Sequence, residues 1–319
     1  MRGLLVSGAA VGQLLLAQPA AAQHRPVRKT QHAVRKEAPK APPIDKPMLA
    51  TQVMLDRAGY SPGEIDARHG SNSDRALAAF ASHGGDPTAL PQDALTDYTI
   101  TSEDAAGPFT QSIPPDLMAM AKLTSLDYTN LVEMLGERFH ASPALLRRLN
   151  PEATFDAGET ITVPNVEQGM AAAGRKNDPS SPMATTVTVR KSSSDLLATD
   201  KAGNVLMYAP VTTGSEHDPL PIGTWQVNGV QHNPTFHYNP ALFWDANTAD
   251  TKATIPAGPN NPVGVVWIDI SHPHYGLHGT PEPSRIGKTT SHGCVRLTNW
   301  DALKLSALVR PGTRVVFAE

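Results

Sequence analysis

The stretch ISHPHYGLHGTPEPSRIGKTTSHGCVRLTNWD, Ile270–Asp301, holds the only cysteine of a 319-residue chain. Within it "YGLHG" reads as the end of a strand, able to lie beside the loop that carries Cys294. After it comes "TNWDALKLSALV", a helix pattern. Thr298 with Asp301 three residues on has capping-box spacing. Trp300, Leu303, Leu305 and Leu308 are its apolar positions, and "RPG" stops it. On either side the chain keeps one texture. "TTVTVRK", "NVLMYAPVTTG", "GTWQVNGV", "VGVVWIDI" and "TRVVFA" are short runs rich in Val, Thr and Ile, divided by Gly, Pro, Asn and Asp. That is strand punctuation. From Ala184 onward the expectation is a mainly β domain, sandwich-like or barrel-like, with one packed helix.

The same stretch concentrates chemistry. A thiol attacks as thiolate, and a neighbouring imidazole can take its proton. His278 lies 16 residues before Cys294 and His292 two before it. A base must come from a spatially adjacent segment, which favours His278. Gly293 permits a tight turn, where successive amides can face a developing oxyanion. Arg296 alternates onto the side of Cys294, where a guanidinium can clamp a carboxylate through two hydrogen bonds. Residue by residue, other readings stand beside these. Cys294 can be a buried structural thiol, and Arg296 can pair with a structural carboxylate. His272, His274, His278, His292 and Cys294 fall within 23 residues and are ligand types that zinc takes. However, neither His-Glu-x-x-His nor a paired-cysteine motif is present, so no metal or other cofactor is expected.

Taken whole, "HGT" at 278–280 and "SHGCVR" at 291–296 resemble the signature of the L,D-transpeptidases, the YkuD domain family. The resemblance runs from about 184 to 319, through "YAPVTTGSEHDPLPIGTW" and "AGPNNPVGVVWIDIS" to "TNWDALKL". It implies roles. Cys294 is then the nucleophile and His278 the general base and acid, its ring oriented by the Gly279 carbonyl. His292 and Gly293 shape the nucleophile loop and oxyanion site. Arg296 binds the donor carboxylate, with Ser291 and Thr280 in support, and Asn260 and Asn261 back the groove. The implied reaction is acyl transfer from a peptidoglycan tetrapeptide stem to an amine. A stem amine gives a 3→3 cross-link, and an envelope protein is anchored. Water in place of the amine makes the enzyme an L,D-carboxypeptidase. A murein hydrolase and a catalytically dead peptidoglycan-binding scaffold are the rival readings. Residues 226–262, rich in aromatics, read as an inserted loop over the site.

The rest of the chain reads as a delivery system. Residues 1–22 have the three-part pattern of a secretory signal, ending in Ala20–Ala22. The expectation is export to the periplasm or cell envelope without an integral membrane span. Residues 23–46 form a basic, proline-rich linker. From residue 47 the net charge is −9, which argues against nucleic acid as a partner. Residues 47–95 resemble a small helical peptidoglycan-binding-like module through "AGYSPGEIDARHGSNSDRALAAF", with Ala67 where a second glycine is usual. Its second helix is expected to be capped by Asn72 or Ser73. Residues 124–166 resemble a LysM module, an α+β unit, through "RRLNP" and "AGETITVP", although its first strand is not visible. Residues 167–183 read as a second linker before the catalytic domain at 184–319. On this reading 47–166 hold the enzyme on glycan and peptide stems, and every reacting side chain lies after 270.

Overall fold

A computed structural model describes residues 43–166 and 182–319. The segments read as signal peptide and nearly all of both linkers lie outside the described residues. The first helix, α1 (Lys46–Arg57), begins where Asp45 accepts a hydrogen bond from the Met48 amide at 3.0 Å. The second, α2 (Ser71–Ser82), starts at Gly70 with no side-chain cap. Asn72 and Ser73, expected to cap it, are committed elsewhere. Asn72 donates to the Ile286 carbonyl (2.9 Å), and Ser73 accepts from Gln52 (3.2 Å). Between the helices Ala67 sits at φ 56°, in the left-handed region. Glycine would adopt this without penalty. Here the Gln52 side-chain oxygen, Oε1, holds the turn, accepting from the amides of Asp66 and Ala67 (3.2 and 2.9 Å).

The strand missing from 124–166 is supplied from upstream. β1 (Leu95–Thr99) pairs antiparallel with β2 (Thr160–Pro164). The short helices α3 (Ser102–Ala106) and α4 (Leu117–Met120) follow β1. α5 (Leu131–Arg138) and α6 (Pro143–Leu149) precede β2 and are N-capped by Asn130 and Ser142. Leu49, Val53 and Ile65 from the first segment join Val132, Leu135, Phe139, Leu145 and Ile161 from the second in one apolar core.

In the remainder, eight strands form one curled sheet. In chain order they are β3 (Thr186–Arg190), β4 (Asp195–Thr199), β5 (Val205–Pro210), β6 (Gly223–His232), β9 (Val266–Ile270), β10 (Gly276–His278), β11 (Val295–Arg296) and β12 (Arg314–Ala318), lying side by side as β11-β10-β9-β6-β12-β3-β4-β5. β12 runs parallel to β3 and β10 parallel to β11; the other pairs are antiparallel. Alternation buries Val187 and Val189, Val266, Ile268 and Ile270, and Val315 and Phe317 in one core, sealed by α7 (Asn299–Leu308) through Ala302 and Leu305. The domain is thus mainly β with one packed helix, as its texture implied. The capping box of α7 is only half formed. Thr298 accepts from the Asp301 amide (3.1 Å), but the Asp301 carboxylate takes bonds from the hydroxyls of Thr298 and Ser61, both 2.8 Å.

Ser61 lies on the N-terminal segment, and that contact is one of several. The turn Gly59–Ser61 lies along the free side of β5. The Tyr208 amide donates to Gly59 and its carbonyl accepts from Ser61, each at 2.9 Å. His140 stacks on Trp300 with ring centres 5.2 Å apart. The stretch read as an inserted loop contains a hairpin of its own, β7 (Phe236–Tyr238) with β8 (Ala253–Ile255). It packs on Leu126 and the methionines of α4. Among the described residues no helix is long and apolar enough to cross a membrane.

Candidate active site

β10 and β11 build the site because they are parallel and in register: Leu277 faces Val295, and His278 faces Arg296. Neighbours across a sheet share a face. Leu277 and Val295 enter the core, so His278 and Arg296 look the other way, into a cavity of about 960 Å³ that Cys294 also lines.

His278 is buried, and its Nδ1 lies 2.7 Å from the Gly279 carbonyl oxygen. A carbonyl only accepts, so Nδ1 carries the proton and Nε2 keeps its lone pair. Trp267 stacks against the ring, centres 5.5 Å apart and planes 18° from parallel. Burial, helped by the nearby Arg296 charge, pushes the His278 pKa down to about 3, so the ring rests neutral. Burial likewise pushes the Cys294 thiol up, against the opposing Gly276 amide and Arg296 charge. At rest both groups are therefore neutral, a thiol and an imidazole lining one cavity, and they form no ion pair. The thiol donates at 3.7 Å to the His274 carbonyl.

The loop bearing Cys294 is held from both sides. Ser291 donates from its hydroxyl to the Cys294 carbonyl (2.6 Å) and from its amide to the Thr213 carbonyl (2.9 Å). Arg296 exchanges backbone bonds with Thr212 (2.9 and 3.0 Å). Gly293 sits at φ 103°, and a Cβ there would come within 2.6 Å of the Tyr275 ring. Only glycine makes this turn with Tyr275 in place. The turn sends His292 away from the extended path that alternation would give it. Its Nε2 lies 2.8 Å from Asp245, and its ring meets Phe243 edge-on.

Arg296 forms no ion pair among the described residues, and its Nε is buried without a protein partner. Burial lowers its pKa, opposed by the proximity of Cys294 and Glu282. Thr280 stands apart. It does not line the cavity, and its hydroxyl accepts from the Glu282 amide at 3.3 Å. His272, His274, His278 and His292 all line the cavity with Cys294, but their rings have separate partners: His272 packs edge-on against Trp225 and Tyr275, and His292 meets Asp245. Among the described residues no three His, Cys, Asp or Glu side chains gather into a metal-binding group.

Asp245, Tyr275 and Trp267 are the site residues that sequence reasoning missed. Asp245 is 47 residues from His292 and belongs to no pattern, whereas Trp267 and Tyr275 flank "HG" closely enough to have been considered.

Residues 184–317 match the family model of the L,D-transpeptidase catalytic domain, YkuD. A putative L,D-transpeptidase YkuD of Bacillus subtilis is 28% identical over 179 residues, which is 56% of this chain and 87% of that protein. Its Bacillus licheniformis namesake is 51% identical over 57 residues, 18% of this chain and 34% of that one. The probable L,D-transpeptidase YbiS of Escherichia coli K12 is 34% identical over 122 residues, covering 37% and 40%. The chain thus spans less than half the length of two of these relatives and most of the third. With the paired strands and the "HGT" and "SHGCVR" segments in place, residues 184–317 belong to the YkuD family of L,D-transpeptidase catalytic domains.

Proposed function

We propose that the chain is a cysteine-dependent acyltransferase acting on peptidoglycan tetrapeptide stems. The observation that carries this is a single face of two parallel strands. It presents Cys294, a buried neutral His278 and a guanidinium without an ion-pair partner to one cavity. A cavity of about 960 Å³ suits a peptide of a few residues. Arg296 takes a donor carboxylate, which fixes the scissile carbonyl over the thiol.

As the Cys294 sulfur attacks the carbonyl between the third stem residue and D-Ala, His278 Nε2 takes the thiol proton. The S–C bond forms while amides of the Gly293–Cys294 turn face the oxyanion. The C–N bond then breaks, and the imidazolium returns its proton to the departing D-Ala amine. In the second half an acceptor amine attacks the thioester. A C–N bond forms, the S–C bond breaks, and the amine proton passes through His278 to the sulfur. The Nδ1–H bond to Gly279 stabilises the imidazolium in both halves. The family relation and the retained thiol and base favour this reading over a catalytically dead scaffold.

The acceptor is part of the proposal: a second stem, forming a 3→3 cross-link, or an envelope protein. Export through residues 1–22 to the periplasm or cell envelope completes it. The test is intact-protein mass spectrometry with a soluble tetrapeptide donor, followed by analysis of the products. Addition of the tripeptide acyl group with release of D-Ala, absent from Cys294→Ala, is expected. A cross-linked dimer identifies a stem acceptor, and a free tripeptide identifies hydrolysis. Acylation that persists in Cys294→Ala overturns the nucleophile.

A further inference from the structure

Asn299, the first residue of α7, is buried, and its amide is fully used. Its Oδ1 accepts from the Val265 amide at 3.2 Å. Its Nδ2 donates to the Pro259 carbonyl (3.1 Å) and to Glu137 Oε1 (3.0 Å). Two of these partners are backbone groups of fixed polarity, so the amide has one possible orientation. Its oxygen lies flat against Gly264 and Gly279; a Cβ on either would overlap it. Gly279 is the residue whose carbonyl fixes the His278 ring. Asn299 therefore backs the peptide that holds the base.

The support behind Asn299 comes from the N-terminal segment. Glu133 and Glu137 stand one turn apart on α5 and share a face. Glu137 grips Asn299, and Glu133 takes the Asn260 side-chain amide at 2.7 Å. Asn260 also donates to the Asp127 carbonyl (2.9 Å), so the 259–260 loop is tied to the same segment.

We propose that Glu137 is a positioning residue for the reaction at Cys294: it presses the Asn299 amide against Gly279 and so keeps His278 in its working orientation and tautomer. The segment 43–166 is then part of the catalytic apparatus, not only an attachment to the polymer. The proposal rests on His278 being the base. Small displacements at a reacting group are expensive; a shift of about 1 Å can cost on the order of 10²-fold.

The experiment uses the full chain and separates the maximal acylation rate from the donor concentration giving half-maximal rate. Glu137→Gln keeps an acceptor for Asn299. Glu137→Asp keeps the carboxyl group but withdraws it by one methylene, and Glu137→Ala removes it. Gln is expected to stay within about 3-fold of wild type. Asp and Ala are expected to lower the maximal rate roughly 10–100-fold with little change in half-saturation. Their ¹⁵N spectra should show the His278 ring losing its single Nδ1–H tautomer. Asn72→Ala, which cuts the bond to Ile286 on the same seam, is expected to leave rate and tautomer unchanged. His278→Asn is measured alongside. Wild-type rate and tautomer in folded Glu137→Asp overturn the positioning role while leaving the base intact. So does an equal loss in Glu137→Asp and Asn72→Ala that tracks melting temperature. If Glu137→Ala does not fold, the Asp and Gln pair decides. Normal acylation by His278→Asn overturns the base itself.

Discussion

Two histidines in this molecule have nearly the same surroundings and opposite prospects. His140 and His278 are both buried, at 7% and 4% exposure, so burial does not distinguish them. Each lies face-on to a tryptophan, Trp300 and Trp267, and each commits Nδ1 to an oxygen. The difference lies in the partner of Nδ1 and the surroundings of Nε2. His140 meets the Asp56 carboxylate at 2.9 Å, and its Nε2 is sealed without a partner in the seam between α5–α6 and α7. His278 meets only a carbonyl, and it lines a cavity with the thiol of Cys294, on the loop entering the next strand, and with Arg296 across from it. A ring stacked and hydrogen-bonded in the interior is thus a structural motif. In the proposed reaction His278 serves as a base because the residue lines a cavity instead of a sealed seam.

The largest expected effect tests that contrast directly. His278→Asn should slow thioester formation by roughly 10²–10⁴-fold, the usual loss when acid–base help is removed. His140→Asn should leave acylation within a few-fold and cost about 1–3 kcal/mol of stability, because Asp56 is left buried without its partner. Mass spectrometry and thermal unfolding of the two variants read both. The reverse pattern would exchange their roles.

Arg296→Ala comes next. Losing a charge-assisted bond to the donor carboxylate, about 1.5–3 kcal/mol, should raise the half-saturating donor concentration by roughly 10–100-fold. The Arg296 charge also helps to depress His278, so the acid limb of the variant's acylation should move to higher pH. The wild-type limb should be well below the ordinary histidine range. His278 is neutral above a pKa of about 3, so acylation should persist through pH 5 and fall only in stronger acid. A rate that halves near pH 6.5 would show that burial does not depress the His278 ring as expected.

The smallest effect concerns the seam that His140 shares. Burial raises Glu137 to about 8, with the Glu133 and Glu64 charges adding and the Asn299 bond opposing. It raises Glu64 to about 7 and Asp301 to about 6. These groups hold their protons in the folded chain at a pH where the unfolded chain has released them. Their contribution to stability is complete in acid and is lost as pH rises toward 8. The melting temperature should therefore decline by a few degrees between pH 5 and 8. Glu137→Gln, which cannot ionise, should flatten part of that decline. An unchanged slope would mean that Glu137 does not hold its proton in the folded state.

Local chemistry was the legible part of this molecule. Val/Thr/Ile runs announced the strands, and the family resemblance of "HGT" and "SHGCVR" pointed to the candidate site. Pairings across long stretches of chain escaped. β1 as partner of β2 needs a return over some sixty residues, and strand alternation at 95–99 is weak because Leu95 and Tyr98 alone are partly covered. Asp245 with His292 and Glu137 with Asn299 leave no periodic trace, since each is one side chain meeting another across a seam. Asn72 and Ser73 were misread for a related reason. Good capping residues were present, but the tertiary structure needed their side chains more.

The turn Gly59–Ser61 also guards the margin of the sheet at β5. An outermost strand with its amides and carbonyls free is a template onto which any extended peptide can add, including the same strand of another molecule. Here the chain occupies that template with its own N-terminal segment, and Tyr208 is buried beneath it. A fragment trimmed to the catalytic sheet would bare this adhesive margin together with the apolar patch around Tyr208. Its tendency would be to polymerise edge to edge. In the full chain the Gly59–Ser61 turn holds that margin closed at Tyr208.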